Sequence, residues 1–279
     1  MDTDTLIKLA LQEDIGPGDY TSLATITGDA ARKVHLLVKE PGILAGIPVA
    51  EKVFAHVDPG IRLNIFLNDG TRVKKGDIAF IAEGKAISML TSERVALNFM
   101  QRMSGIATYT RQMADRIGDL PARIMDTRKT TPLLREIEKY AVRIGGGLNH
   151  RFGLYDMILI KDNHVDFAGG ISKAISLARE YLKAHKMDLK IEIEVRNHVE
   201  LDEVMKAGGV NRIMLDNFGP QALRKAVEKI GKRYETEASG GITLENVREY
   251  AETGVDFISV GALTHHIRSL DMSLKAIKD

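Results

Sequence analysis

The sequence contains no cysteine and no tryptophan among its 279 residues. The absence of cysteine excludes disulfides, thiolate zinc sites, iron–sulfur clusters and a cysteine nucleophile, and it is compatible with a reducing compartment. Acidic residues stand at the amino terminus where a signal peptide needs basic ones, and no apolar run approaches the ~20 residues of a membrane span. We therefore expect a cytoplasmic protein without a membrane partner.

Charge of one sign is not in excess either, because the formal net charge is only +1. A protein that binds nucleic acid or a membrane surface through its overall charge is therefore not indicated. The hydrophobic residues make up 44% of the chain and the charged ones 28%, which is typical of a globular protein with a large core. An anion-binding site must then come from a local concentration of basic side chains.

Two patterns along the chain predict two domains. Short runs of strand character, separated by Pro-Gly and Asp-Gly turns, predict a small antiparallel sheet between residues 33 and 82. Apolar residues at helical spacing over 91–117 predict one or two linking helices. We expect a smaller α+β amino-terminal domain over 1–108, joined by 266–279, and a catalytic domain over 109–265.

The second of these domains repeats a short β run followed by a longer helical pattern. The runs are RIMD (123–126), MILIK (157–161), KIEIEV (190–195), NRIMLD (211–216), TEAS (236–239) and FISVG (257–261). Six such units predict an α/β fold, a parallel β/α barrel that is either complete or incomplete. A helix near 168–186 is expected after the second run.

Basic residues collect near the carboxyl ends of these runs. In a β/α barrel such ends meet at one mouth, where side chains from separate strands can surround one ligand. The candidates are Arg128, Lys129, His150, Arg151 and Lys161, with Arg94 as a further one. So many cations together suit a polyanionic ligand, and arginine can hold a carboxylate or a phosphate with two hydrogen bonds.

Acidic and glycine-rich positions complete the predicted mouth. Glu194 and Asp216 end two strands, and two carboxylates beside a polyphosphate usually bind a divalent cation or sugar hydroxyls. The turn Ser239-Gly240-Gly241 and Gly261 can present backbone N–H groups to a phosphate. Glu192 shares the face of Glu194, and we expect it deeper, in a polar pair. Taken one at a time, an acid after a strand could equally be a helix N-cap and a glycine pair an ordinary turn.

One long segment resembles a known family. DTRKTTPLLREIEKYAVRIGGGLNHRFGLYDMILIKDNH (126–164) is similar to the signature of quinolinate phosphoribosyltransferase, also called nicotinate-nucleotide pyrophosphorylase (carboxylating). EIEV, IMLDNF, EASGGI and ISVGALTH match that family in order and spacing, and EDIGPGDYTS and TSERVALNFMQRMSGIAT match its amino-terminal part. The likeness spans nearly the whole chain. Three residues depart from the family pattern: Leu133 replaces a usual glycine, Ile144 a frequent cysteine and Leu148 a frequent histidine.

The resemblance implies a reaction and its cofactor. Members of the family transfer a phosphoribosyl group from 5-phosphoribosyl 1-pyrophosphate to quinolinate with decarboxylation. The products are nicotinate mononucleotide, pyrophosphate and CO₂, in de novo NAD biosynthesis. The resemblance further implies Mg²⁺ and a homodimer in which Arg94 is contributed across the interface, with a higher oligomer left open.

The same resemblance implies roles for individual residues. Quinolinate would be bound by Arg94, Arg128, His150, Arg151 and Lys161. Phosphoribosyl pyrophosphate would be bound by Lys129, Glu194, Asp216, Ser239, Gly240, Gly241 and Gly261. The catalytic residues would be Lys129, Lys161, Glu194 and Asp216, and the last two would hold the metal.

Other functions remain open at this point. Lys161 ends an apolar strand, as the lysine of a Schiff-base aldolase does, although Asp162 beside it favours the charged form. A transferase acting on nicotinate would keep the fold and change the substrate, and a metabolite-binding protein would bind both ligands without turnover. A zinc site at His150 and His164 is not indicated, because no third ligand stands at a suitable spacing.

Overall fold

A computed structural model describes residues 2–27 and 31–277 of the chain. It divides into two compact units, of which the first comprises Met1–Arg111, Thr130–Gly146 and Leu263–Asp279 and the second comprises Gln112–Lys129 and Gly147–Ala262. Within the described residues, no helix combines the length and the apolar character needed to cross a membrane.

Helices and strands alternate along much of the described chain. The elements up to residue 116 are α1 (Thr3–Ile15), α2 (Tyr20–Thr25), β1 (Ala31–Val38), β2 (Gly42–Ile43), α3 (Ile47–Val57), β3 (Arg62–Ile65), β4 (Arg72–Val73), β5 (Ile78–Lys85) and α4 (Ala86–Arg116). The later elements are β6 (Arg123–Met125), α5 (Arg135–Ile144), β7 (Ile158–Ile160), α6 (Asp162–Ala168), α7 (Ile171–Ala184), β8 (Ile191–Val195), α8 (His198–Ala207), β9 (Arg212–Asp216), α9 (Pro220–Ile230), β10 (Glu235–Ser239), α10 (Val247–Ala251), β11 (Phe257–Ser259), α11 (Ala262–His265) and β12 (Met272–Ala276).

The first unit contains an antiparallel sheet of four strands in the order β12-β1-β5-β3. Alternating residues of β1, among them Leu36 and Val38, are buried, as a sheet with one covered face requires. Phe54 of α3 packs edge-on against Phe80 of β5, with ring centroids 6.0 Å apart. The predicted antiparallel sheet is therefore confirmed.

The second unit contains a parallel sheet of six strands in the order β6-β11-β10-β9-β8-β7. All six strand-like runs of the sequence form these strands, which confirms the predicted parallel β/α architecture. In the described part of the chain no pairing joins β6 to β7, so the barrel is an incomplete one.

The alternation along β8 decides which side chains face the barrel interior. Ile191, Ile193 and Val195 are buried, and α8 packs against this strand. Because successive side chains point to opposite faces, Glu192 and Glu194 share the other face, toward the neighbouring strands' polar residues. Glu192 and Glu194 therefore both lie on the interior face of β8, with Glu194 nearer the carboxyl end of the strand.

The helix expected near 168–186 is confirmed as α7. A further helix, α6, precedes it and ends at Ala168, because Gly169 and Gly170 have φ angles of 84° and 123°. The segment 130–146 belongs to the first unit and not to the domain expected over 109–265. Within the first unit, the buried Glu138 accepts a hydrogen bond from Arg102 Nε at 2.8 Å, which ties this segment to α4.

Candidate functional site

A cavity of about 580 Å³ opens at the carboxyl ends of the parallel strands in the second unit. Ten of the residues that line it were predicted from the sequence: Arg128, Lys129, His150, Arg151, Lys161, Glu194, Asp216, Ser239, Gly240 and Gly241. Further lining residues are Thr127, Leu159, Met214, Asn217, Glu237 and Ser259. The predicted convergence of separate strand ends on one cavity is what the structure shows.

Four basic residues form what we call the cationic rim: Arg128, Lys129, Arg151 and Lys161. Arg151 Nη1 donates a hydrogen bond to the carbonyl oxygen of Met157 at 3.1 Å, which fixes its side chain. Burial, and then the nearby charge of Arg128, lower the pKa of Arg151. The buried Nε of Arg128 has no hydrogen-bond partner among the described residues. Two neighbouring guanidiniums, one with an unused buried donor, are arranged to receive an anion.

Lys161 and Glu194 face each other across two adjacent strands. Lys161 Nζ lies 3.7 Å from Glu194 Oε2. Burial raises the pKa of the Glu194 carboxyl, the Lys161 charge lowers it, and the Asp216 carboxylate raises it again. His164, by contrast, has a local structural role, because its Nδ1 accepts the backbone N–H of Lys161 at 2.9 Å and so caps α6.

The turns after β9 and β10 pack closely against each other. Asp216 Oδ2 accepts a hydrogen bond from Asn217 Nδ2 at 2.6 Å, and the Asn217 backbone N–H donates to the Ser239 carbonyl at 2.8 Å. Gly240 has a φ of 96°, and a side chain there would overlap the Asn217 amide oxygen. Glycine is therefore required at Gly240 on two counts, its backbone conformation and the lack of space.

Two fully buried acids, Glu192 on β8 and Glu237 on β10, lie below the rim with Arg212 of β9 between their strands; we call these three residues the acid floor. Arg212 Nη1 donates to Glu237 Oε2 at 2.9 Å. Burial, and then the neighbouring Glu192, raise the pKa of Glu237 to about 8. His150 Nε2 lies 3.0 Å from Glu192 Oε2 and 3.6 Å from Glu237 Oε1. The floor thus joins the cavity through His150.

Two of the predicted site residues do not line this cavity. Gly261 follows β11 but is not among the lining residues. Arg94 lies on α4 in the first unit, where it is exposed. The structure therefore brings together the rim, the two strand-end acids and the turn 239–241, and it leaves the roles of Arg94 and Gly261 as predictions.

Comparison with known proteins decides the family. The model of the quinolinate phosphoribosyl transferase C-terminal domain matches residues 106–275, and that of the N-terminal domain matches residues 19–104. The chain belongs to the quinolinate phosphoribosyltransferase family. The family resemblance noted in the sequence is thereby confirmed.

Curated members of the family are similar to this chain over nearly its whole length. "Quinolinate phosphoribosyltransferase [decarboxylating] 1b" of Nicotiana tabacum is 48% identical over 98% of this chain and 82% of its own. A "probable nicotinate-nucleotide pyrophosphorylase [carboxylating]" of Bacillus subtilis is 44% identical over 94% of this chain and 89% of its own.

Solved structures of the family agree with the fold. NadC from Streptococcus pyogenes aligns with a TM-score of 0.93 at 40% identity, covering 99% of this chain and 97% of that one. The nicotinate-nucleotide pyrophosphorylase from Francisella tularensis aligns with a TM-score of 0.92 at 38% identity, covering 99% and 96%.

Two departures from the family pattern have a structural description. Leu133 has a φ of 67° and is 62% exposed, so a leucine occupies the left-handed conformation that glycine adopts most easily. Leu148 is held through its main chain: its N–H donates to the Ile124 carbonyl at 2.8 Å, and its carbonyl accepts the Asp126 N–H at 3.1 Å. A backbone role of this kind tolerates a change of side chain.

The sequence did not identify three residues that shape the site: Asn217, Arg212 and Glu237. The signal for Glu237 was its alternation with Glu235 in β10, because an acid on the interior face of a buried strand needs a partner. Arg212 opens β9 and is the partner of both acids. Asn217 follows Asp216, and asparagine is one of the few residues that tolerate its φ of 56°.

Proposed function

We propose that the cavity of the second unit catalyses the family reaction, in which quinolinate and 5-phosphoribosyl 1-pyrophosphate give nicotinate mononucleotide, pyrophosphate and CO₂. The observation that carries the proposal is the arrangement of Arg128 and Arg151, two guanidiniums side by side with an unused buried donor. A ligand with two adjacent carboxylates meets the charge of both. Strand-end acids and a glycine turn line the same cavity.

Quinolinate occupies the part of the cavity bounded by the cationic rim. Arg128 and Arg151 receive its carboxylates, and Lys161 contributes a third positive charge. Lys129, exposed at the rim, lies between this part and the phosphate end and neutralises the departing pyrophosphate.

The phosphoribosyl donor occupies the part lined by the strand-end acids and the turn after β10. Glu194 and Asp216 bind the ribose hydroxyls, and the turn Ser239-Gly240-Gly241 presents its backbone to the 5′-phosphate. Gly261 opens the turn before α11 and is proposed for the same phosphate.

A divalent cation fits the donor set at this end of the cavity. Glu194 and Asp216 are oxygen ligands of the type that Mg²⁺ prefers, and Asp216 raises the pKa of Glu194 through the charge that a cation would neutralise. When bound, Mg²⁺ shields the diphosphate charge. Calorimetric titration with Mg²⁺ and the donor would check this: Glu194→Gln or Asp216→Asn should weaken donor binding in the presence of Mg²⁺ more than in its absence.

The chemistry needs electrostatics more than proton transfer. As the C1–O bond to pyrophosphate breaks, positive charge develops on the ribose, where the carboxylates of Glu194 and Asp216 stabilise it. The pyridine nitrogen donates its electron pair to C1. The electrons of the bond to the adjacent carboxylate then pass into the pyridinium ring, CO₂ leaves, and the ring carbon takes a proton from solvent. No side chain has to act as a general base.

Assembly into a homodimer belongs to this proposal, with Arg94 of the partner subunit reaching the quinolinate. Arg94 is exposed on α4 and so is accessible to another copy. Large apolar side chains are also exposed: Phe167 at 90%, Leu154 at 73% and Tyr155 at 69%. These side chains are thus accessible to another copy of the chain. A higher oligomer stays open, and a cytoplasmic location stays a prediction.

The Schiff-base alternative receives no support from the geometry. Lys161 is exposed and pairs with Glu194 at 3.7 Å, whereas a Schiff-base lysine sits in an apolar pocket. The decisive experiment counts CO₂ against pyrophosphate with quinolinate as the acceptor. A one-to-one ratio with nicotinate mononucleotide as the product is expected. Turnover of nicotinate without CO₂, or no product at all, would overturn the proposal.

A further inference from the structure

Both ring nitrogens of His150 face protein groups. Nδ1 accepts the backbone N–H of Arg151 at 2.7 Å, and Nε2 lies 3.0 Å from Glu192 Oε2. An acceptor at Nδ1 places the ring proton on Nε2, the nitrogen that faces the acids. The Nδ1 nitrogen is therefore engaged by the main chain, whereas the buried Nε2 faces Glu192 without the geometry of a hydrogen bond.

The main chain at His150 is fixed as well. Its backbone N–H donates to Asp126 Oδ1 at 2.8 Å, and the Asn149 side-chain amide donates to the other oxygen of the same buried carboxylate. Asp126 thus fixes the backbone of His150, and the ring of His150 is linked to the next residue, Arg151, by a direct hydrogen bond.

The acid floor is suited to hold a histidine more than a metal ion. Ligand atoms of His150, Glu192 and Glu237 lie within 4.8 Å of one another, which would also suit a metal. However, the Arg212 guanidinium already donates to Glu237 and would repel a further cation. The other charged or polar groups that face these acids are Arg151, Glu235 and Ser259.

We propose that His150 is a positioning residue: with Nε2 turned toward Glu192 and Glu237, it holds the main chain of Arg151 in place through Nδ1 and so acts on quinolinate through Arg151. This inference rests on the proposed function, because it assigns Arg151 to that substrate. It gives Glu192 and Glu237 a share in substrate specificity although neither touches the substrate.

A double-mutant cycle separates a positioning role from direct contact. If His150 acts through Arg151, His150→Ala should raise the KM for quinolinate about ten-fold in the natural protein and about two-fold or less in the Arg151→Ala background. The KM for phosphoribosyl pyrophosphate and kcat should change little. If His150→Ala raised the KM for quinolinate by nearly the same factor in both backgrounds, His150 and Arg151 would act independently. That result would overturn the inference.

A conservative variant gives the second readout. In His150→Asn the side-chain oxygen can accept the Arg151 N–H, so most of the quinolinate KM should be recovered relative to His150→Ala. Equal impairment of the two variants would contradict the inference. Circular dichroism of each variant establishes that it is folded. If the natural protein forms no nicotinate mononucleotide, the proposed function itself fails; if it does and the cycle is additive, only the positioning role fails.

Discussion

The cationic rim lines the cavity and the acid floor reaches it through Glu237, yet the charges of the two regions are arranged in different ways. In the floor, Arg212 pairs with Glu237 at 2.9 Å, and His150 lies 3.0 Å from Glu192. In the rim, the like charges of Arg128 and Arg151 lie close enough to interact, and the buried Nε of Arg128 has no hydrogen-bond partner in the part of the chain that the structure describes. The floor therefore holds opposite charges close together, whereas the rim holds like charges that a bound anion can compensate.

This difference predicts separate consequences for activity and stability. Removing one partner of a buried charged pair leaves the other charge uncompensated, so the floor should govern stability as well as geometry. Removing the Arg128 charge relieves its repulsion with Arg151 and leaves the fold intact, so this position should govern activity alone.

The largest effect is expected for Arg128→Ala. Loss of a charge that binds a desolvated carboxylate should lower kcat/KM for quinolinate by about 10²–10³-fold while the melting temperature falls little or rises. Arg248→Ala is the matched control, because Arg248 is an exposed arginine on α10 that pairs with Asp119. Steady-state assays and thermal unfolding check both variants. Near-natural activity of Arg128→Ala would remove the distinction between rim and floor.

The second largest effect is expected for a substitution in the turn that is proposed to bind the phosphate. Gly240→Ala places a methyl group against the Asn217 amide at a φ of 96°, so the turn must shift and the KM for phosphoribosyl pyrophosphate should rise by about 10–100-fold. Gly219→Ala offers the control, since nothing lies within 4 Å of a side chain there and its φ is −69°. Similar kinetics for the two variants would mean that the turn does not bind the donor.

The acid floor should make the unfolding free energy depend on pH through Glu237. The pKa of Glu237 is raised to about 8 in the folded protein, so its contribution is fully present below the unfolded-state pKa of about 4.5 and is lost as the pH rises through about 8. Relative to Glu237→Gln, the natural protein should lose on the order of 1–3 kcal/mol of unfolding free energy across this window. Urea unfolding at several pH values measures it, and parallel curves for the two proteins would contradict the account of the floor.

The smallest effect is expected outside both regions. Leu133→Gly relieves a left-handed leucine, which costs about 1–2 kcal/mol, but it also increases the entropy of the unfolded chain by about 0.4–1 kcal/mol. The net gain in unfolding free energy should be below about 1 kcal/mol. Denaturant titration decides the sign, and a clear loss of stability would show that the Leu133 side chain has a packing role.

The sequence predicted the rim and the two strand-end acids better than the floor for a physical reason. Arg128, Lys161, Glu194 and Asp216 end strands, and the ends of parallel strands meet at one edge, so their convergence follows from the β-then-α pattern alone. The partners of Glu237 depend on strand order and register, since Arg212 must stand between two acid-bearing strands.

The backbone conformation of the turns was harder still to predict from the sequence. The left-handed Asn217 and the contact it makes with Gly240 arise where two separate turns meet. The assignment of 130–146 to the first unit depends on side-chain pairs such as Arg102 with Glu138. The spacing of apolar residues along the sequence does not predict such pairs.

The central claim is that the rim is built for two adjacent carboxylates. Its most direct test compares quinolinate with nicotinate, which lacks one of them, by calorimetric titration of the natural protein and of Arg128→Ala. We predict that the natural protein binds quinolinate about 10²-fold more tightly or better, and that this preference falls to about ten-fold or less in the variant. An unchanged preference in Arg128→Ala would contradict the claim.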